Sequence, residues 1–217
     1  MPSAVAPESV RSLSVAMRED SRSEHEAAEQ SSFMSELLSG RVNGQGYVDY
    51  LLRLRAVYRT LEDTVRARRT DPVVGTFHDP MLERLATIDA DLDHWAPGSA
   101  REVDSPAAQA YCTRIAESNW GGALLAHHYT RYLGDLSGGQ AIGRVLDRSF
   151  DLDGAGLSFY EFPMRPKPYK DAYRARLDGL DLDQDDIDRV VDEVKVAFAL
   201  NQALFDELTA NLPAYRR

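Results

Sequence analysis

The sequence predicts an all-α chain, and three features carry that prediction. Side chains line single stripes at helical steps over long windows, first Tyr47, Leu51, Leu54, Tyr58, Leu61 and Val65. A second stripe runs through Val190, Val194, Ala197, Phe198, Asn201, Leu204, Phe205 and Leu208. Helix-start signals stand ahead of several windows: Asp79-Pro80, Ser105-Pro106, and Asp183 followed by Asp185 and Asp186. No stretch alternates apolar and polar residues between turns convincingly enough for a strand ladder. The expected architecture is a single compact multi-helix domain of roughly seven or eight helices.

Taken in order, residues 1–7 read as a flexible tail, 8–212 as the helical domain and 213–217 as a C-terminal tail. Over residues 8–32 the pattern is helical, with Leu13, Ala16 and Met17 at apolar spacing. One helix there places Arg18, Ser21, Arg22, His25 and Glu29 on a shared, inward face. Residues 33–38 add a short apolar segment, and Ser39-Gly40 and Asn43-Gly44 punctuate a turn. A long helix follows over residues 45–69. Asp71-Pro72 and Asp79-Pro80 frame a loop, and the second pair starts a helix that reaches Trp95 through Leu82, Leu85, Ile88 and Leu92. Ser105-Pro106 opens a helix over residues 106–117, and a central helix covers 121–150. Residues 151–168, with Gly154, Gly156, three prolines and the aromatic cluster Phe159, Tyr160 and Phe162, read as an irregular loop. A short helix then carries Lys170, Tyr173 and Arg174 to Leu177, ahead of the long C-terminal helix.

Composition narrows the function classes. The 217 residues carry 35 acidic and 25 basic side chains, a net charge of −10. That balance argues against general binding of nucleic acid or an anionic membrane and suits a basic partner protein. Cys112 is the single cysteine, so no disulfide framework or thiolate metal site is expected; it reads as a small buried hydrophobe. The N-terminus lacks a signal pattern and nowhere do about 18 apolar residues run together, which predicts a cytoplasmic protein without a stable membrane anchor.

Residues 127–143, HHYTRYLGDLSGGQAIG, are the most informative stretch. On a helix His128, Arg131, Tyr132 and Asp135 share a face, and Gly139 and Gly143 return to it. Each interior glycine costs roughly 0.5–1 kcal/mol relative to alanine, so Gly134, Gly138, Gly139 and Gly143 need a reason. Close approach of the backbone to a flat ligand is one; tight helix packing is the other. Asp135 counts against packing alone, which does not ask for a carboxylate. HExxH, paired Glu-x-x-His, Walker and GxSxG patterns are missing, which removes the common hydrolase and nucleotide readings. One histidine, His25, on one helix and a glycine-lined second helix meet the needs of a planar metallocofactor such as heme. His78, His94, His127 and His128 read as structural residues.

The segment HHYTRYLGDLSGGQ at 127–140 resembles the distal-helix signature of the heme oxygenases, and SEHEAAEQSSFM at 23–34 resembles their proximal-helix segment. VYRTLED at 57–63, YKDAYRARL at 169–177 and AFALNQALF at 197–205 follow in the family's order. The resemblance implies heme between a proximal N-terminal helix and a glycine-kinked distal helix, with His25 as the iron ligand and Glu29 orienting it. It makes Asp135 the distal carboxylate of a water network with Arg131, Tyr58 and Asn201, and Gly134, Gly138 and Gly139 the glycines that let the helix bend. Arg18, Arg22, Lys170, Arg174 and Tyr129 correspond to groups near the propionates, and Met34, Phe198 and Phe205 to apolar pocket walls. Arg at 18 and 22 stands where many members carry Lys, and Leu37 replaces an aromatic of some relatives.

The implied activity is cleavage of heme b, at once cofactor and substrate, by O₂ and electrons to biliverdin, CO and ferrous iron. The α isomer is the family expectation, with electrons from NAD(P)H through a reductase or ferredoxin. A soluble bacterial type, monomeric and serving iron release, fits this reading. A non-catalytic heme carrier or sensor of the same fold is the alternative, and it has no need of a distal proton network. A third class, a helical protein whose glycine face is only packing, predicts no heme binding.

Overall fold

The computed structural model describes residues 11–217, so the proposed tail at 1–7 and the start of the first expected helix lie outside the described residues. Among the described residues the regular secondary structure is all helical, with one isolated β-bridge between Val42 and Arg216.

The single helix expected over residues 8–32 is instead two, α1 (Leu13–Asp20) and α2 (Arg22–Glu29). The break falls at Ser21, whose backbone leaves helical geometry at φ −110° and ψ 15° and whose hydroxyl donates to the Met17 carbonyl at 2.6 Å. Arg18 therefore does not share a continuous helical face with His25. Ser31 accepts from the Met34 amide to start α3 (Ser32–Leu38), and Asn43 caps α4 (Gly44–Ala67) through the Gly46 amide at 3.0 Å.

The loop expected after α4 contains a helix, α5 (Pro72–Phe77), which Asp71 caps by accepting from the Val73 and Val74 amides. One and a half turns are too short to show a period. Asp79 caps only a 3₁₀ turn, Pro80–Leu82, and α6 begins later, at Leu85–Trp95. Its cap is tertiary: the buried Glu62 carboxylate of α4 accepts from the Arg84 and Leu85 amides at 2.6 and 3.0 Å. No local sequence signal encodes that cap.

Next come α7 (Pro106–Ala116) and α8 (Gly121–Gly134), then a π turn over Asp135–Gly139 and α9 (Gln140–Phe150). The central stretch is thus one long rod with a one-turn widening at its glycines. The following loop contains a 3₁₀ turn, Ser158–Tyr160, ahead of α10 (Pro166–Asp178), α11 (Gln184–Ala210) and α12 (Leu212–Tyr215). Residues 213–217, expected as a tail, are tied down. Tyr215 is buried, its carbonyl accepts from the Asn43 amide at 2.7 Å, and the Arg217 amide donates to the Arg41 carbonyl at 2.9 Å.

Helix α11 is the shared support: α8 lies along it, and α1, α2, α3 and α7 also pack on it. Its buried stripe contains every residue of the periodic pattern, including Asn201. Cys112 is half-buried instead of fully buried, and burial pushes its thiol pKa up. Among the described residues no helix is long and apolar enough to cross a membrane.

Candidate active site

Four buried side chains from three helices meet where α8 passes into the π turn. Arg131 ends α8 one turn before Asp135, with their charged atoms 3.6 Å apart. From α4 the Tyr58 hydroxyl donates to Asp135 and accepts from Arg131 Nε at 3.2 Å. From α11 the Asn201 carbonyl oxygen accepts from Arg131 Nη1 at 2.5 Å. Asp135 is 7% exposed and Arg131 5%, so the pair sits in a low-dielectric setting where each partner matters. Burial pushes the Asp135 carboxyl pKa up, against the opposing pull of Arg131 and the Tyr58 hydroxyl. Burial likewise raises the Tyr58 phenol, while Arg131 stays charged because the acidic groups around it outweigh its own desolvation. Tyr50, buried beside the same pair, is pushed to about 12 by burial.

The glycines divide into two sets. Gly134 and Gly138 are exposed, and a Cβ added to either would meet no atom within 4 Å. Gly134 has ordinary helical geometry, φ −62° and ψ −49°, so nothing in its backbone demands glycine. The bare backbone there faces open space beside Asp135. Gly139 and Gly143 behave differently from the expectation of close ligand approach: both are buried against the Tyr160 ring. A Cβ would stand 3.4 Å from that ring at Gly139 and 3.2 Å at Gly143. At Gly143 that is tighter than ordinary contact, which favours packing there, whereas at Gly139 a Cβ would make an ordinary contact.

His25 is on α2, half exposed, with its ring edge-on to Phe198 of α11 at 5.5 Å and its Nε2 3.7 Å from a Glu29 carboxylate oxygen. Phe198 and Asn201 are one turn apart, so a single turn of α11 supports His25 on one side and Arg131 on the other. Met34 of α3 and Phe205 of α11 are buried, Phe205 with its ring 6.2 Å from Tyr50.

The cationic candidates gather in part. Lys170 Nζ on α10 reaches Ser137 of the π turn at 2.6 Å. Tyr129 is buried with Arg174 and Arg18 close enough to oppose the rise that burial gives its phenol. Arg22 is exposed at the start of α2. His128 is a buried structural residue as read: its Nδ1 is 2.9 Å from the Tyr173 hydroxyl, and burial drops its pKa to about 3. His127 is buried too, Nε2 3.0 Å from Glu193.

Sequence reasoning overlooked the second layer. Tyr58 is flanked edge-on by Tyr132 at 5.5 Å and Phe159 at 5.6 Å, and the Tyr132 hydroxyl donates to Glu62 at 3.3 Å. The tyrosines of α4 read as core stripe, and nothing in the 151–168 composition ties Phe159 or Tyr160 to the central helix.

The family model for heme oxygenase matches residues 11–207. Heme oxygenase 1 of Rattus norvegicus is 36% identical over 211 residues, covering 92% of this chain and 72% of the relative. Heme oxygenase 1 of Nostoc sp. is 36% identical over 203 residues, with 90% and 85% covered. The crystal structure of heme oxygenase-1 from the cyanobacterium Synechocystis sp. in complex with heme superposes with a TM-score of 0.89 at 33% identity, covering 94% of this chain and 95% of that one. Sequence and fold agree over nearly the full length, and the chain belongs to the heme oxygenase family.

Proposed function

We propose that this heme oxygenase takes heme b as both cofactor and substrate, held between α2 and the glycine-bearing π turn, and opens it at the α position. The observation that carries the reading is the juxtaposition of the buried Asp135–Tyr58–Arg131–Asn201 cluster with the uncovered backbone of Gly134 and Gly138. A carboxylate buried beside bare helix backbone fits a polar reaction at the face of a flat molecule. The donor set suits the same ligand: an imidazole on α2 for iron, and Arg18, Arg22, Lys170, Arg174 and Tyr129 for acidic substituents. Heme, when bound, supplies the iron at which O₂ and electrons react and the ring that becomes biliverdin, with release of CO and Fe²⁺.

The residues' own work is positional and acid–base. Glu29, with a carboxylate oxygen 3.7 Å from the His25 ring, biases the orientation of that ring by its charge. Arg131 and Tyr58 point the Asp135 carboxyl, and Asn201 holds Arg131 by its carbonyl oxygen. A carboxyl with raised proton affinity at the edge of the open face holds a proton and passes it, through water, to the distal side. Gly134 and Gly138 keep side chains out of that space. Electrons come from NAD(P)H through a reductase or ferredoxin with a basic docking face that complements the chain's net charge of −10. We place the enzyme in the cytoplasm as a monomer, releasing iron from heme.

Addition of hemin to the purified protein, followed by ascorbate or a reductase system in air, tests this. A Soret band that forms and decays into biliverdin absorption, with CO captured by a reporter globin, is the expected result. A Soret band that persists through reduction in air overturns it in favour of a carrier.

A further inference from the structure

Asp91 on α6 is fully buried, carries a carboxylate and takes no part in the cluster described above. Its two oxygens accept from consecutive backbone amides of the 3₁₀ turn, Ser158 at 2.7 Å and Phe159 at 2.8 Å. Further bonds hold the same segment. Arg84 donates to the Glu161 carbonyl at 2.6 Å, Trp95 Nε1 to the Gly156 carbonyl at 2.8 Å and Gln140 to the Tyr160 carbonyl at 2.7 Å. The rings this segment presents go to the distal machinery. Phe159 stands edge-on to Tyr58, the donor to Asp135, and Tyr160 lies against Gly139 and Gly143, about one and two turns beyond Asp135.

We infer that Asp91 is a positioning residue for the distal side of the site: by fixing residues 158–161 it sets, through Phe159, the place of Tyr58 and, through Tyr160, the place of the π turn. The inference rests on the reading of Asp135 as the proton-holding group. A carboxylate suits this task, because the two neighbouring N–H groups each meet a different oxygen of one side chain, and a carboxylate presents an acceptor at both positions. Asparagine has the same shape but turns an NH₂ toward one of the amides, leaving a buried donor unpaired. Packing alone would accept leucine or asparagine. Tyr160 works from the other side: with no Cβ at Gly143 its ring packs close to the helix, and it also lies against Gly139 at the end of the π turn, so a shift of the 3₁₀ turn presses on the rod one to two turns beyond Asp135.

The test uses the full chain. In Asp91→Asn without heme, amide exchange over 134–140 is expected to quicken by about tenfold or more, as a lost buried hydrogen bond predicts. Hemin affinity, read from the Soret band, should change by less than about threefold, while the fraction of bound hemin recovered as biliverdin falls by about fivefold or more. Faster exchange confined to 85–95 and 156–162, with 134–140 unmoved, overturns the inference, as does full biliverdin recovery. Should Asp91→Asn fail to fold, Gly143→Ala presses on the same contact and improves helix propensity. Unchanged melting with quickened exchange at 158–161 and reduced biliverdin recovery supports the inference, and unchanged recovery overturns it. Failure of the wild type to convert bound hemin would remove the Asp135 reading instead, and the exchange experiment still decides whether Asp91 holds the π turn.

Discussion

The Tyr58 hydroxyl of α4 is shared between two residues of the central rod, donating to Asp135 and accepting from Arg131 Nε at 3.2 Å. One phenol therefore bonds the carboxylate directly and steadies the arginine that faces it across 3.6 Å. Tyr58→Phe should leave the fold intact at a cost of about 1–2 kcal/mol, measured by urea unfolding, because a buried carboxylate loses a donor. Biliverdin formation should slow by about tenfold, with hemin affinity unchanged, since Arg131 alone still holds Asp135.

Asp135→Ala removes the proton-holding group itself. Biliverdin formation should fall by at least about 100-fold. The Soret titration should stay close to wild type, because the carboxylate is set back from the uncovered glycine backbone. Wild-type conversion by this variant would refute the role assigned to Asp135.

His25→Ala should still take up hemin through the cationic rim, more weakly, and turn over poorly; added imidazole should restore part of the spectrum and activity. Glu29→Gln keeps the ligand and weakens its orientation, with an expected loss of about tenfold in activity. Equal activity in all three proteins would exclude His25 as the ligand.

Gly134→Ala separates ligand space from packing. The added methyl has open room, so the heme-free protein should gain about 0.5–1 kcal/mol in thermal or urea unfolding. Hemin binding should weaken, because the methyl occupies the space offered to the flat ligand. Gly143→Ala has no such room and meets Tyr160. A gain in stability with undiminished hemin affinity at position 134 would show that the open face does not hold heme.

Stability should fall on acidification in two windows. His128 binds a proton in the unfolded chain near pH 6.5 but, buried, only near pH 3. The unfolded state thus holds one more proton between those values, and stability drops by about 1.4 kcal/mol per pH unit as pH falls. Glu193 is drawn from 4.5 to about 2 because His127 and Arg114 outweigh the rise that burial alone would bring. Its contribution is present above pH 4.5 and is lost toward pH 2, so Glu193→Gln should flatten the lower window. Urea midpoints measured from pH 7 to 2 check both slopes.

Long periodic segments were legible in the sequence: α4, α7 and α11 stand where Tyr58, Ser105-Pro106 and Asp183 placed them. The quartet Asp135, Arg131, Tyr58 and Asn201 was legible through family resemblance, since its members are distant in sequence and no spacing rule links Tyr58 to Asp135. What escaped was decided by contacts made across the fold. The start of α6 depends on Glu62 from α4, and the break at Ser21 on a hydroxyl choosing the Met17 carbonyl. The two roles of the glycines were unreadable for the same reason, because only the position of Tyr160 separates Gly139 from Gly138.

The π turn at Asp135–Gly139 also sets the phase of everything downstream. A widened turn holds one residue more than an α-turn, and each residue advances a helix by about 100°. Excising a single residue from it would restore regular α hydrogen bonding and rotate α9 relative to α8 by about that angle. Gly143 would swing off Tyr160, and bulkier neighbours on α9 would be driven into the ring instead. Length variation is consequently barred within these five residues even where substitution is tolerated, and a sequence that drops one of them has exchanged the register of its distal helix for another.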